Sequence, residues 1–453
     1  VAVGLGVGRG GWHLQLRHQA VFKHQSSNGT VKQFTQLVDH YDPTNTATFQ
    51  ESYYIDTSFA RPSGPVLFVQ VGEEPMAFAI PGYSQPPLTT WAQSLGAIII
   101  ALEHRYYGTS TPVPDLTLPN MKFLSSQQSL ADSAYFAAEM RKQPMLAGRK
   151  WISIGCSYPG ALSAWLRNKY PDLIVASIAG SAVVHAQKNF PEYAATFANA
   201  TNPRCASILH KAALDVLAMS SSDAGRAKLQ QVFNTCQPIT DQTLFQFFWQ
   251  ISFNLPVQPN VPYEGYPLYR FCAQLENSTG RALQIWSTTI SYTTQSPCLD
   301  LSETGQYDPK DLANTSISNF VFNDRSWAWQ LCTEFGWFLT NDPKISVFPW
   351  NLPLAPLQAV CSQAFAPNLD PHIPWTNVYY GDRNFESSSN ILFLDGLRDP
   401  WNSLTDKKSF SNNVDVVLFN SSHCAPFLPP SASDPPDLTA ARDAILTFMK
   451  RLL

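Results

Sequence analysis

Four short runs of consecutive apolar residues, each closed by turn residues, stand early in the chain: PVLFVQVG (65–72), GAIIIALE (96–103), WISIG (151–155) and LIVASIAGS (173–181). Unbroken runs of this length predict strands buried on both faces, as in a parallel sheet. Between them the period changes. QQSLADSAYFAAEMRK (127–142) carries Leu130, Ala134, Ala137, Ala138 and Met140 at near-helical spacing, and GALSAWLRNKY (160–170) follows closely on WISIG. Strand and helix in alternation read as βαβ units.

From about 185 to 374 the texture turns aromatic and mainly helical or irregular, as in DQTLFQFFWQISFNL and DRSWAWQLCTEFGWFL. Two more buried-strand candidates follow, NILFLDGLRDP (390–400) and VDVVLFNSSHC (414–424). The chain closes on DLTAARDAILTFMKRLL, an amphipathic helix with Leu438, Ala441, Ile445, Phe448 and Leu452 on one face. The pattern predicts an α/β protein with a mostly parallel sheet interrupted by a large helical insertion. Its parts are a processed or flexible arm (1–32), a first core segment (33–184), an inserted cap (185–374) and a second core segment (375–453). PFLPPSASDPPD (426–437) reads as a surface loop, and no internal repeat is present.

Composition narrows the class. The 453 residues are 44% hydrophobic and 14% charged, with a formal net charge of −4, so no basic surface of the kind nucleic acid needs is expected. No apolar run reaches the roughly 18 residues of a membrane helix. None of the 8 cysteines forms a C-x-x-C pair, which leaves zinc without support, and neither metal nor cofactor is expected. Disulfides are the better use, since Cys205, Cys236, Cys272, Cys298, Cys332 and Cys361 all fall in the insertion. Sequons at Asn28, Asn199, Asn277, Asn314 and Asn420 agree with a secreted or lysosomal/vesicular setting.

The candidate chemistry sits at strand ends. In GCSYPG, Ser157 lies where WISIG meets GALSAWL, the strand-to-helix context of a nucleophile elbow, although the usual G-x-S-x-G has Pro159 in its last place. A serine nucleophile needs a base and a carboxylate to orient that base, and in α/β-hydrolases they follow in the order Ser, Asp, His. Asp399 ends the penultimate strand candidate and His423 follows the last. Alone, each has a plain alternative: a helix-capping serine, an Asp-Pro turn, a loop histidine. Together, at the carboxyl ends of strands where open sheets bind ligands, they point to a catalytic triad on an α/β-hydrolase core. The oxyanion hole then falls to the backbone N–H groups of Tyr158 and of Glu73, the latter in the loop after the third strand. Glu73 and Glu74 read equally well as a solvated acidic turn.

FTQLVDHY…TFQESYY, EHRYYGTS (103–110), GCSYPG, CTEFG (332–336), DGLRDPW (395–401) and SSHC (421–424) together resemble the prolyl carboxypeptidase, dipeptidyl peptidase II and thymus-specific serine protease family over residues 33–453. LCTEFGWF and the cysteine after His423 are most similar to the thymus-specific branch. The resemblance implies a serine peptidase cleaving peptide substrates after proline, with a disulfide-bonded helical cap and a triad of Ser157, Asp399 and His423. It also implies the pairings Cys205–Cys361, Cys236–Cys332 and Cys272–Cys298. Cys156 replaces the family's second elbow glycine, and with Cys424 it flanks the candidate nucleophile and base, so a disulfide there and two buried thiols both stay open. The loop Gly72-Glu73-Glu74-Pro75-Met76 lacks the family's aspartate, which puts dipeptidyl-peptidase recognition of a substrate amine in doubt. Trp401 is placed either to wall a proline pocket or to fill the core, Glu74 is a pocket candidate, and Glu334 either contacts substrate or braces the cap. An esterase or lipase on the same fold, a catalytically silent binding protein and a homodimer are left open, as is the choice between endopeptidase and exopeptidase.

Overall fold

The computed structural model describes residues 29–77, 79, 86–258, 267–302, 312–317 and 324–453. Its apolar runs become the centre of an eight-stranded sheet. The strands are Thr30–Leu37 (β1), Thr48–Asp56 (β2), Val66–Gln70 (β3), Ile98–Leu102 (β4), Trp151–Cys156 (β5) and Ala176–Gly180 (β6). Gln187–Phe190 (β7) pairs in parallel with Gly336–Leu339 (β8) in a separate two-stranded sheet, and the main sheet is completed by Ile391–Gly396 (β9) and Val414–Phe419 (β10). The main order is β1-β2-β4-β3-β5-β6-β9-β10, antiparallel at β1/β2 and β2/β4 and parallel elsewhere. This is the α/β-hydrolase arrangement.

Every residue of β3, β4, β6 and β9 is buried, which is why these strands read as unbroken apolar runs. Because side chains alternate across the pleat, each strand feeds two cores. Val66, Phe68, Ile98, Ile100 and Trp151 pack with helices Ser126–Met140 (α2) and Tyr158–Lys169 (α3). Leu67, Val69, Ile99, Ala101 and Ile152 pack on the other face, with Leu88–Leu95 (α1) and the closing helix Pro436–Leu452 (α4). The strands of the main sheet come from 30–180 and 391–419, and the helices of 192–380 lie between them in sequence. The intervening segment continues the first core through rings such as Phe247, Trp286 and Phe348.

The edge strand β1 and its neighbour β2 leave no apolar run in the sequence. β1 is exposed over most of its length and β2 holds polar residues such as Glu51 and Ser52 among its buried positions, so neither shows the apolar signature. β1 also begins at Thr30, so residues 30–32 of the expected arm are strand; residues 1–28 of that arm, with Asn28, lie outside the described residues.

All 8 cysteines are bonded, but not as the resemblance implied. The bonds are Cys205–Cys272, Cys236–Cys298, Cys332–Cys361 and Cys156–Cys424. Neither Cys205–Cys361, Cys236–Cys332 nor Cys272–Cys298 forms, and for Cys205 and Cys236 the packing of neighbouring segments shows why. Pro203–Ser220 lies on Pro267–Asn277, and Cys236 donates its N–H to the Leu299 carbonyl at 2.9 Å, which sets it beside Cys298. The bonded Cα pairs are 5.1 to 5.8 Å apart, within the span a disulfide bridges.

Candidate active site

The turn between β5 and α3 holds Ser157 at φ 68° and ψ −132°, a conformation that costs a non-glycine residue on the order of 1–3 kcal/mol and persists only where its surroundings enforce it. The neighbours do so. The Ser157 N–H donates to the Gly180 carbonyl at 2.9 Å, and its own carbonyl accepts the first helical bond, from Ala161, at 3.0 Å. A Cβ at Gly155 would lie 2.0 Å from the Pro159 carbonyl oxygen, and one at Gly160 would lie 2.4 Å from that of Gly180. The turn can close this tightly because both positions lack side chains. Pro159 falls in the first turn of α3, where its missing N–H costs nothing. Its ring lies against Gly72, where an added Cβ would come within 2.3 Å of it, so the loop after β3 rests directly on the elbow.

Beyond β9, Asp399 is nearly inaccessible, and its Oδ1 accepts the Trp401 N–H at 2.9 Å. Its Oδ2 lies 2.8 Å from Nδ1 of His423, so the structure brings these two candidates together. His423 is 8% exposed and stands in the turn after β10. Its other nitrogen, Nε2, is buried and makes no hydrogen bond, to Ser157 or to any other group. The tie between the serine and histidine segments is covalent: Cys156–Cys424 joins the residue before Ser157 to the residue after His423, with Cα atoms 5.8 Å apart. Of the two readings the sequence left open, the bonded one is found. Asp395, at the end of β9, is fully buried. Burial first, then the nearby Asp399, push it well above the ordinary carboxyl range.

The remaining candidates fall into two groups. Near the elbow, Tyr158 heads α3 and Glu73 lies half-buried one residue beyond Gly72. Glu74 has one carboxyl oxygen buried without a partner, and burial together with Glu73 pushes it up to about 8. Trp401 packs among Phe190, Tyr193 and Trp337, with its ring 6.4 Å from that of His423, and donates Nε1–H to Gln258 at 3.1 Å. Glu334 behaves differently: its two oxygens accept the Ser126 N–H at 3.1 and 3.0 Å, and one also accepts the Ser126 hydroxyl. It lies in the turn Leu331–Phe335 and braces the start of α2. Asn199, Asn277, Asn314 and Asn420 are all exposed.

One buried polar chain escaped the sequence reading. His104 Nε2 lies 3.0 Å from the Tyr158 hydroxyl, which accepts from Gln330 at 2.9 Å, and Gln330 accepts from Tyr107 at 2.7 Å. Burial pushes His104 down to about 4, so it is neutral. With Nδ1 2.7 Å from the Arg105 carbonyl, Nδ1 carries the proton and Nε2 accepts from Tyr158. The signal lay in EHRYYG and LCTEFG, whose neighbourhood supplies His104, Tyr107 and Gln330, but no local pattern joins residues so far apart.

The strand order is that of an α/β-hydrolase, with a strained serine between strand and helix and a carboxylate-bound histidine after the last strand. The model of the serine carboxypeptidase S28 family matches residues 36–445, and the chain belongs to that family; it is a serine-type peptidase. A Caenorhabditis elegans protein named as a candidate serine protease is 31% identical, over 91% of this chain and 86% of its own. Human lysosomal Pro-X carboxypeptidase is 27% identical over 94% of this chain and 88% of its own, and human thymus-specific serine protease 29% over 92% and 85%. No described helix is long and apolar enough to cross a membrane.

Two outcomes follow from the packing and charge of the site. Gly155→Ala should destabilise the protein by roughly 1–3 kcal/mol through overpacking against backbone, read by denaturant unfolding, and depress peptidase activity in the fraction that stays folded. Burial raises Glu334 from 4.5 to about 7. Between those values the folded state holds a proton that the unfolded chain releases, so stability is full in acid and falls as pH rises through about 7. Wild type should therefore lose stability from pH 5 to 8, by up to about 3 kcal/mol from this group, and Glu334→Gln should flatten that part of the profile.

Proposed function

We propose that the protein hydrolyses peptide bonds after proline through a Ser157-His423-Asp399 acyl-enzyme mechanism, in a secreted or lysosomal compartment. The observation that carries the reading is the pairing of His423 Nδ1 with a buried Asp399 carboxylate while Nε2 is left without a partner, in a segment that the Cys156–Cys424 disulfide ties to a serine in elbow geometry. With its proton on Nδ1, His423 has only Nε2 available as a base. It takes the Ser157 proton as the hydroxyl attacks the substrate carbonyl, then gives that proton to the leaving amine. Water enters with the same base and releases the acyl group. Asp399 keeps the imidazole in the right tautomer and stabilises its cation. The tetrahedral oxyanion is held by the N–H groups of Tyr158 and Glu73, each donor of this kind being worth about 10²–10³ in kcat.

Proline specificity is assigned to the aromatic cluster beside His423. Trp401 packs between His423 and the rings of Phe190, Tyr193 and Trp337, an apolar wall suited to a pyrrolidine ring, and the name of the human Pro-X carboxypeptidase agrees with that preference. The disulfides, all formed, favour an oxidising compartment.

Incubating wild type with a proline-containing peptide library at pH 4.5 to 7, read by mass spectrometry, should give products ending in proline, with the fragment ends separating endopeptidase from exopeptidase action. Ser157→Ala should lower kcat on the order of 10⁴-fold or more while remaining folded. Ester hydrolysis without peptide cleavage would replace the proposal by an esterase. Trp401→Ala should erode the preference for prolyl over alanyl substrates by about 10–100-fold in kcat/KM, with activity on small esters reduced far less.

A further inference from the structure

Glu103, directly after β4, is 3% exposed, and its carboxylate gathers donors from two separate loops. Oε1 accepts the Met76 N–H at 2.8 Å. Oε2 accepts the Thr109 N–H at 3.0 Å, the Thr109 hydroxyl at 3.1 Å and the Ser110 hydroxyl at 2.6 Å. Ser110 in turn accepts the Ser52 N–H from β2 at 2.8 Å. The turn that wraps the carboxylate is closed by Gly108, at φ +56°, where a Cβ would lie 1.9 Å from Oε1.

The Met76 bond matters because of where Met76 lies. The loop after β3 is held at one end by Gly72 resting on Pro159 of the elbow, and at the other by Met76 on Glu103. Glu73 stands between these two anchors. We infer that Glu103 is a positioning residue for the proposed reaction: by accepting the Met76 N–H it fixes the loop that carries the second oxyanion donor. This rests on the acyl-transfer reading. The donor must lie within a fraction of an ångström of the position where charge develops. The place of a backbone N–H in a loop is set by the loop's anchors, and the Glu103 carboxylate is the one on the far side of Glu73 from the elbow.

A group that only accepts is required, since every partner donates. In Glu103→Gln the carboxamide keeps its oxygen where three donors converge, and its NH₂ then faces the Met76 N–H. Donor against donor releases the loop while the rest of the hub survives.

The test uses the full chain, normalised by active-site titration, with an N-acyl-proline methyl ester and its thionoester. Sulfur is a weak hydrogen-bond acceptor, so thionoester turnover takes little from the oxyanion donors, and the oxo-to-thiono ratio reports on them. Glu103→Gln should lower kcat on the oxoester about 10–100-fold, change KM less than about 2-fold, and shrink the oxo-to-thiono ratio about 10-fold or more. Equal losses on both esters would overturn the inference, because a merely structural role slows both alike. Should Glu103→Gln not fold, Glu103→Asp must show the same fall in ratio, and failure of both to fold would overturn the inference in favour of a role in the fold as a whole. If wild type forms no Ser157-dependent acyl-enzyme with the oxoester, it is the acyl-transfer reading itself that fails.

Discussion

The buried pair of Arg105 and Asp132 holds together the region on which the rest relies. Arg105 is wholly inaccessible, and every N–H of its guanidinium has an acceptor: both oxygens of Asp132, and the carbonyls of Leu37, Val38 and Phe123. A buried charge is tolerable on these terms, since desolvation is offset by a bidentate partner and complete hydrogen bonding. The pair joins the end of β1, the segment after β4 and the middle of α2. The two residues just before Arg105 are Glu103 and His104, which reach the loop after β3 and the Tyr158 hydroxyl. Three consecutive side chains thus lead from a fixed charge pair to the elbow and its neighbouring loop.

The aromatic residues of the insertion meet the elbow from the other side. Tyr158 packs on Trp327 and Phe335, Phe335 stacks on Trp337, and Trp337 meets Trp401 beside His423. Gln330 and Glu334 add polar bonds across the same boundary, to Tyr158 and Ser126. Such close, partly polar packing gives the insertion a defined seat above the sheet rather than a loose hinge.

What the sequence disclosed follows from which forces leave a local mark. Burial on both faces writes itself as an apolar run, so β3, β4, β5, β6 and β9 are readable from composition alone, whereas β1, exposed along one edge, leaves no such trace. Position at a strand end is also local, and the candidate residues Ser157, Asp399 and His423 follow β5, β9 and β10. Disulfide pairing depends on which helices touch, which spacing does not encode; Cys205 meets Cys272 because their helices pack. Nor does local sequence show that Glu334 turns to Ser126, a residue 208 positions away.

The Cys156–Cys424 bond changes the topology of the chain as well as its geometry. Across 268 positions it closes a covalent ring that contains the whole insertion, with the other three disulfides as smaller rings inside it. A peptide bond cut anywhere in the insertion would therefore leave a single molecule, with the serine strand and the histidine turn still fastened. In a compartment rich in other proteases, a hydrolase wired in this way can be nicked across its outer structure without its two halves drifting apart.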